Sequence, residues 1–354
     1  MPGSAAALDV AEPVLGPGEA RVRVLEVGVC GIDVEIDAGA RGEAPEGDAV
    51  LVLGHESLGE IEAMGRGAHG SAPGDLVVAM VRRPDGCTEC IRGEPDMCVG
   101  GRYTESGIRG RHGFLAERYT EHTEFLVRVP ARLRACAVLL EPLAIVEKGV
   151  RQALAVQRRL RAWEARRALV LGAGAVGMLG ALVLRLQGVE TVVYARGPDP
   201  VRARRLDAIG ATYLAKRDAN GSVAHHLADL PPEAGPFDLV LEATGSAHAA
   251  MAALRLPDPD GIACLASVTE GDAELGICAT CLDTALVLGN RAAVGAASAH
   301  RVDFDAGIRD LAEAEDRWPG WPQALVTRRV PLARFRDALS REPGDVKVVI
   351  EPGR

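Results

Sequence analysis

Between residues 20 and 130, apolar residues fall in short β-branched runs separated by glycine-rich turns. Ala20–Val27, Ala49–Leu53 and Asp75–Val81 are the clearest. This spacing predicts strands and a β-rich, partly barrel-like domain. From Pro142 the pattern turns helical, and after residue 167 strands alternate with helices. The strands are expected at Ala168–Leu171, Thr191–Tyr194, Phe237–Leu241, Ala263–Ala266 and Ala292–Gly295, with helices at Val176–Gln187 and Pro200–Ile209. Such alternation calls for a parallel sheet covered by helices on both faces. The tail returns to mixed structure and ends on the apolar run Asp345–Ile350, which is expected to rejoin the first domain. The reading is an α/β chain of two domains: residues 1–146 completed by 299–354, and a doubly wound nucleotide-binding domain over 147–298.

A length of 354 residues suits two cores, because single cores usually stop growing near about 250–300 residues. With 48% hydrophobic but only 3% aromatic residues, those cores must be packed with Ala, Val and Leu. A formal charge of -9 argues against nucleic acid and an anionic membrane surface as the main partner, since both select a basic face, while leaving room for a local arginine cluster to bind a phosphate. The first residues carry no basic segment followed by a long apolar one, so a cytoplasmic location is expected. The uncharged run Ala168–Leu184 is too short to span a bilayer and is broken by glycines. In a reducing compartment the eight cysteines read as buried residues or metal ligands rather than disulfides. Cys136, Cys264, Cys278 and Cys281 are assigned to the buried class.

Gly172-Ala-Gly174-Ala175-Val176-Gly177 lies between an apolar strand and an apolar helix. In this fingerprint one glycine makes the turn, the next admits a pyrophosphate, and the third lets helix pack on strand. Taken alone it is equally a tight strand-to-helix turn, but its flanks favour a dinucleotide site. The second strand ends Ala195-Arg196 with no carboxylate to bind a ribose 2′-hydroxyl, and Arg202, Arg204 and Arg205 follow. A cation there accepts a 2′-phosphate, so NADP is favoured over NAD, with Arg196 the chosen residue. Asp199 before Pro200 reads as a helix N-cap. Thr244, in Glu242-Ala-Thr-Gly245, follows another strand end and is expected near the nicotinamide half.

Upstream, Cys30, the pair His55-Glu56, and Glu141 stand in an order that suits a catalytic zinc, which takes three protein ligands and leaves one position open. A single His or Cys is more often an ordinary core residue. Their joint occurrence before a dinucleotide fold points to hydride transfer.

This order of motifs resembles the zinc-containing medium-chain dehydrogenases. Glu141-Pro-Leu-Ala-Ile-Val-Glu-Lys148, Glu94-Pro-Asp-Met-Cys98, Val27–Asp33, Leu53–Glu56 and Tyr103–Ile108 resemble their microbial glucose dehydrogenase branch, along nearly the whole chain. The resemblance implies a GroES-like, partly open barrel as catalytic domain beside a Rossmann domain. It implies Cys30, His55 and Glu141 as zinc ligands, with Glu56 able to approach the metal, and Glu105 and Glu141 meeting sugar hydroxyls. A homodimer or homotetramer is expected, with the apolar Leu286-Val-Leu288 either pairing across a dimer or belonging to the core. Cys87, Cys90 and Cys98 match three of four cysteines that hold a structural zinc in the family, while the first position is Pro84. Asp85 or Glu94 is the candidate to complete that set.

Two departures stand out. Ile32 occupies the place of a Ser or Thr that relays the substrate proton, leaving Glu56, Glu35, a ribose hydroxyl or water to carry it. Ser298 stands where the family has an asparagine that meets substrate, so Ser298 and His300 are expected to shape a different pocket, Ser298 beside the cofactor as well. Both argue against glucose itself and for another sugar, polyol or sugar-derived metabolite. Two rival readings stay open: a redox-neutral epimerase or eliminating enzyme that keeps its cofactor, and a non-catalytic NADPH-binding protein.

Overall fold

The computed structural model describes residues 3–215, 235–269 and 274–353. They divide into two compact units, Met1–Ala144 with Ser298–Ala312 and Pro322–Arg354, and Ile145–Ala297 with Glu313–Trp321. Among the described residues, no helix is long and apolar enough to cross a membrane.

The first unit is built on a seven-stranded sheet whose hub is Glu19–Val29. This long strand pairs antiparallel with Glu56–Met64, with Arg118–His122 and with Lys347–Glu351. Register shifts between Arg21 and Val22 and between Val24 and Glu26 let it bend and change partners along its length. Its inward residues Val22, Val24 and Val27 join Ile61, Val77 and Leu126 in a core that contains one aromatic contact, Phe114 against Tyr119 at 4.6 Å. Small aliphatic residues fill most of the space, as the composition requires. The closing strand Lys347–Glu351 returns to this sheet and pairs parallel with Val326–Pro331.

One expected strand is absent. Ala49–Leu53 has no regular ladder, being held by single bonds such as Gly113 N–H to the Val52 carbonyl at 2.7 Å. Gly54, at φ +87°, turns the chain here, and a Cβ on it would strike Val27 at 2.7 Å. The regular strand begins at Glu56. His55 therefore precedes a strand rather than following one.

The second unit carries six parallel strands in the order Thr212–Ala215, Glu190–Ala195, Arg167–Leu171, Leu239–Glu242, Ile262–Leu265, Ala292–Gly295. The order reverses between Arg167–Leu171 and Leu239–Glu242, and in doubly wound sheets the ligand crevice opens at that switch. Cys136, in the first unit, and Cys264, in this one, are buried as expected, but Cys278 and Cys281 are not. They open the helix Ala279–Leu288, which buries none of its residues, and are joined in a disulfide. That helix offers no core for the two sulfurs to enter, and spacing of three at its start brings them together.

Candidate metal centre and dinucleotide site

Strand register assembles the first centre. Gly28 pairs with Glu56 on one side and with Val349 on the other. A Cβ on Gly28 would lie 2.0 Å from the Glu56 carboxylate, so only glycine leaves room for that side chain. Through this gap Lys347 Nζ meets both Glu56 oxygens, at 2.5 and 2.6 Å, and the Val29 carbonyl at 3.3 Å. Cys30 follows as N-cap of the helix Gly31–Asp37, its Sγ accepting the Ile32 amide and its own amide donating to Asp33. Cys30 Sγ lies 3.1 Å from His55 Nε2, and the far ring nitrogen, Nδ1, lies 3.5 Å from Asp33 Oδ1. Thiol, imidazole and the Glu56 carboxylate each offer a donor atom within 4.8 Å of the others.

Glu141, in the first turn of Leu140–Gln157, is buried and stands outside that set of three. Its carboxyl is pushed up to about 7, chiefly by burial, with Glu56 and Asp33 adding and His55 and Lys347 opposing. Burial likewise raises the Cys30 thiol. At His55 burial works against a proton, but the charges of Cys30 and Asp33 outweigh it and raise the imidazole. Soft sulfur, imidazole and carboxylate donors gathered within reach of one another suit zinc. The residues fit the metal.

The second cluster joins Asp85, Cys87, Cys90 and Cys98. Cys87 Sγ lies 3.5 Å from Cys90 Sγ and 3.6 Å from Cys98 Sγ, and Cys90 Sγ lies 3.6 Å from Asp85 Oδ1. Tetrahedral zinc places such donors about 3.5–3.8 Å apart, so this set fits as well. Asp85 is oriented by the amides of Cys87 and Arg102, and Gly100 is open against it where a Cβ would clash at 2.1 Å. Bonds from Cys98 and these amides hold its carboxyl well below the usual range. Glu94 instead lies with Asp96 and His300.

In the second unit, Gly172 has φ +105° and passes 2.8 Å, at a Cβ position, from the Ala243 carbonyl. At Gly177 a Cβ would strike the Gly172 carbonyl at 1.9 Å. Gly174 caps the helix Ala175–Leu186 and has open space at its Cβ position, leaving the amides at Ala175 and Val176 to face an anion. Across the switch, Glu242 is buried and accepts from the Thr244 amide at 2.7 Å, from the Thr244 hydroxyl at 2.5 Å and from Ser267. Arg196 is exposed at the end of Glu190–Ala195, and Asp199 caps the next helix through the Val201 and Arg202 amides.

Residues 134–352 match the family model described as glucose dehydrogenase C-terminus, and residues 16–131 match the alcohol dehydrogenase GroES-like domain. The chain belongs to the zinc-containing medium-chain dehydrogenases, in their glucose dehydrogenase branch. It is 44% identical to a glucose 1-dehydrogenase of Methanocella arvoryzae over 98% of this chain and 95% of that protein. A glucose 1-dehydrogenase of Thermoproteus tenax is 40% identical over 99% and 96%. The structure of Haloferax mediterranei glucose dehydrogenase with NADP, zinc and gluconolactone superposes with a TM-score of 0.87 at 31% identity, covering 97% and 95%.

Other expected residues of this dehydrogenase lie elsewhere. Glu105 receives two bonds from Arg82, at 3.0 and 3.1 Å, and Arg82 stacks on Tyr103. Glu35 pairs with Arg41 at 3.2 Å. The structure brings His300 to the Gly93 carbonyl at 2.8 Å, not into the Cys30 set, and its Nδ1 accepts from Val302. Ser298 adopts φ +56°. Two residues escaped the sequence reading. Asp33 faces the His55 ring across 3.5 Å, and its signal was a carboxylate three residues after a candidate ligand cysteine. Lys347 was a lysine flanked by the apolar Val346 and Val348–Ile350, a position that demands a buried partner.

Proposed function

We propose that this chain is an NADP-linked, zinc-dependent glucose dehydrogenase that oxidises the sugar at C1. The observation that carries the reading is the donor set of half-buried Cys30 with buried His55 and Glu56, Glu141 beside it, in a chain that also holds the Gly172–Gly177 cradle. When bound, zinc supplies Lewis-acid polarisation of the substrate hydroxyl, and NADP supplies a hydride acceptor. Cys30, His55 and Glu141 are the ligands we assign, and Asp33 fixes the imidazole so that Nε2 faces the metal. Lys347 holds the Glu56 carboxylate in the same set. Ile32 offers only its backbone amide, which goes to Cys30, so we assign acceptance of the substrate proton to Glu56, which lies in the donor set with Cys30 and His55, rather than to Glu35, which lies outside it. We assign Asp85, Cys87, Cys90 and Cys98 to a second, structural zinc.

The names of the relatives and the gluconolactone in the Haloferax structure support glucose, which corrects the weight placed against it on Ile32 and Ser298. Absence of an acid after Ala195 and the exposed Arg196 support NADP. Ala292–Gly295 is an edge strand among the described residues, and the exposed Val287 and Leu288 precede it, which supports a homo-oligomer. The test is to measure metal content and follow NADPH absorbance with glucose, other aldoses and polyols, using NADP and NAD in turn. Glucose with NADP is expected to turn over fastest, with activity lost to a chelator and restored by zinc. Full turnover by zinc-depleted protein overturns the metal role, and substrate conversion without net NADPH change favours the redox-neutral reading. Light scattering reads the oligomer.

A further inference from the structure

We propose that Cys278 and Cys281 form a thiol–disulfide exchange site on the second unit, reversible with dithiols and independent of the dehydrogenase reading. The two exposed residues open Ala279–Leu288 in a Cys-x-x-Cys arrangement and are disulfide-bonded. This separates them from the other six cysteines. Cys136 and Cys264 are buried, the latter with its thiol pushed up to about 12 by burial, and the remaining four sit in the two metal donor sets. The disulfide contributes little to holding the fold, because the entropic gain from a cross-link shrinks with the loop it closes and this one spans a sequence separation of 3. Its helix buries nothing that needs fixing.

Its surroundings suit reactivity. Cys278 is the N-cap, and its Sγ accepts the Cys281 amide at 3.2 Å. A thiolate released there on reduction is met by that N–H and by the positive end of a ten-residue helix whose first turn has no acidic side chain. Beside it opens a cavity of about 420 Å³ lined by His248, Met251, Arg255, Ile277 and Leu282 as well as by Cys278. Arg255 brings a cation, and the apolar side chains give a wall for the molecule that carries the partner sulfurs. Accessible, electropositive surroundings are where reactive cysteines are found.

In the exchange, a thiolate of the external dithiol attacks one sulfur of the pair, the S–S bond breaks, and the other sulfur leaves as a thiolate that takes up a proton. The second thiol of the reagent then displaces the protein from the mixed disulfide. The reagent ends as a disulfide and Cys278 and Cys281 as two thiols, two electrons and two protons having passed to the protein. The partner class is a dithiol–disulfide carrier, small or protein-borne.

The test uses the folded full-length chain, equilibrated with reduced or oxidised dithiothreitol, alkylated, and mapped by peptide mass spectrometry. The peptide holding both cysteines is expected to be unalkylated and two hydrogens lighter in the oxidised sample, and doubly alkylated in the reduced one. In the reduced protein Cys278 should alkylate about tenfold or more faster than Cys281, with R255A slowing it. C281S keeps the test alive should the reduced wild type prove unstable: its Cys278 is expected to take up glutathione from the oxidised tripeptide. The proposal is overturned if the pair alkylates fully after oxidising equilibration. It is equally overturned if the disulfide opens only in unfolded protein, or if Cys278 of C281S takes up no glutathione.

Discussion

Lys347 and Glu56 are 291 residues apart in sequence, yet Nζ lies 2.5 and 2.6 Å from the two carboxylate oxygens, and both side chains are 2% exposed. The glycine at position 28 makes the contact possible. Removing one partner of a buried pair leaves an uncompensated charge and typically costs about 3–5 kcal/mol. K347M is therefore expected to lower the melting temperature sharply, and K347M/E56Q to recover part of the loss. Differential scanning calorimetry of the zinc-loaded proteins reads this, and an unchanged K347M transition means that the pair carries no stability.

Asp33 contacts both Cys30 and His55, accepting the Cys30 amide at 2.9 Å and facing His55 Nδ1 at 3.5 Å. Such outer partners of metal ligands are typically worth about 10–100-fold in affinity. D33N is expected to weaken catalytic zinc by that factor in a chelator competition while leaving NADP binding unchanged. Wild-type zinc affinity in D33N would reduce Asp33 to a helix cap.

Asp85 stands where three cysteines need a fourth donor. Purified wild type is expected to carry two zinc ions per chain, D85A one, and D85C two, since a thiolate restores the tetrahedron. One zinc in wild type rejects this lobe as a metal site. Because the cluster is apart from the Cys30 set, D85A should lower thermal stability more than it lowers kcat at moderate temperature.

Arg196 is expected to set cofactor choice. R196A should raise the KM for NADP by about tenfold or more, the usual worth of a charge-assisted bond, with little change for NAD. Equal effects on both cofactors would place Arg196 outside the 2′-phosphate site.

Much of this architecture is legible in the chain because local rules govern it. The alternation of strands and helices after residue 167, the Gly172–Gly177 turn and the Asp199 cap each depend on neighbours within a few residues. Cys30, His55 and Glu56 are readable as ligand types, and the structure brings them together. What sequence hides is set by distant register. Lys347 becomes part of the centre only because its strand pairs at Gly28, and Ala49–Leu53 loses its ladder because Gly54 turns against Val27. Asp85 rather than Glu94 joins the cysteines because the Cys87 and Arg102 amides aim it there. The Cys278–Cys281 pair went unread since burial was assumed for a helix that has none.

Glu141 gives the pH dependence of metal uptake. With its carboxyl raised to about 7, mainly by burial, the metal-free protein holds a proton there at pH about 6 and has largely lost it at pH about 8. A protonated carboxyl has no charge to give a metal, so zinc must displace that proton. Zinc affinity should therefore rise with pH, and calorimetry in buffers of different ionisation heat should show more protons released at the lower pH. The stability of the metal-free chain follows the same sign. A raised folded pKa contributes stability that is fully present below the unfolded value of about 4.3 and is lost as pH rises through about 7. E141Q should abolish this part of the pH dependence and release up to about one proton fewer at pH about 6, while Cys30 and His55 contribute alike in both proteins. Identical proton release by wild type and E141Q at both pH values would show that Glu141 is not a zinc ligand, and would leave Glu56 as the carboxylate donor.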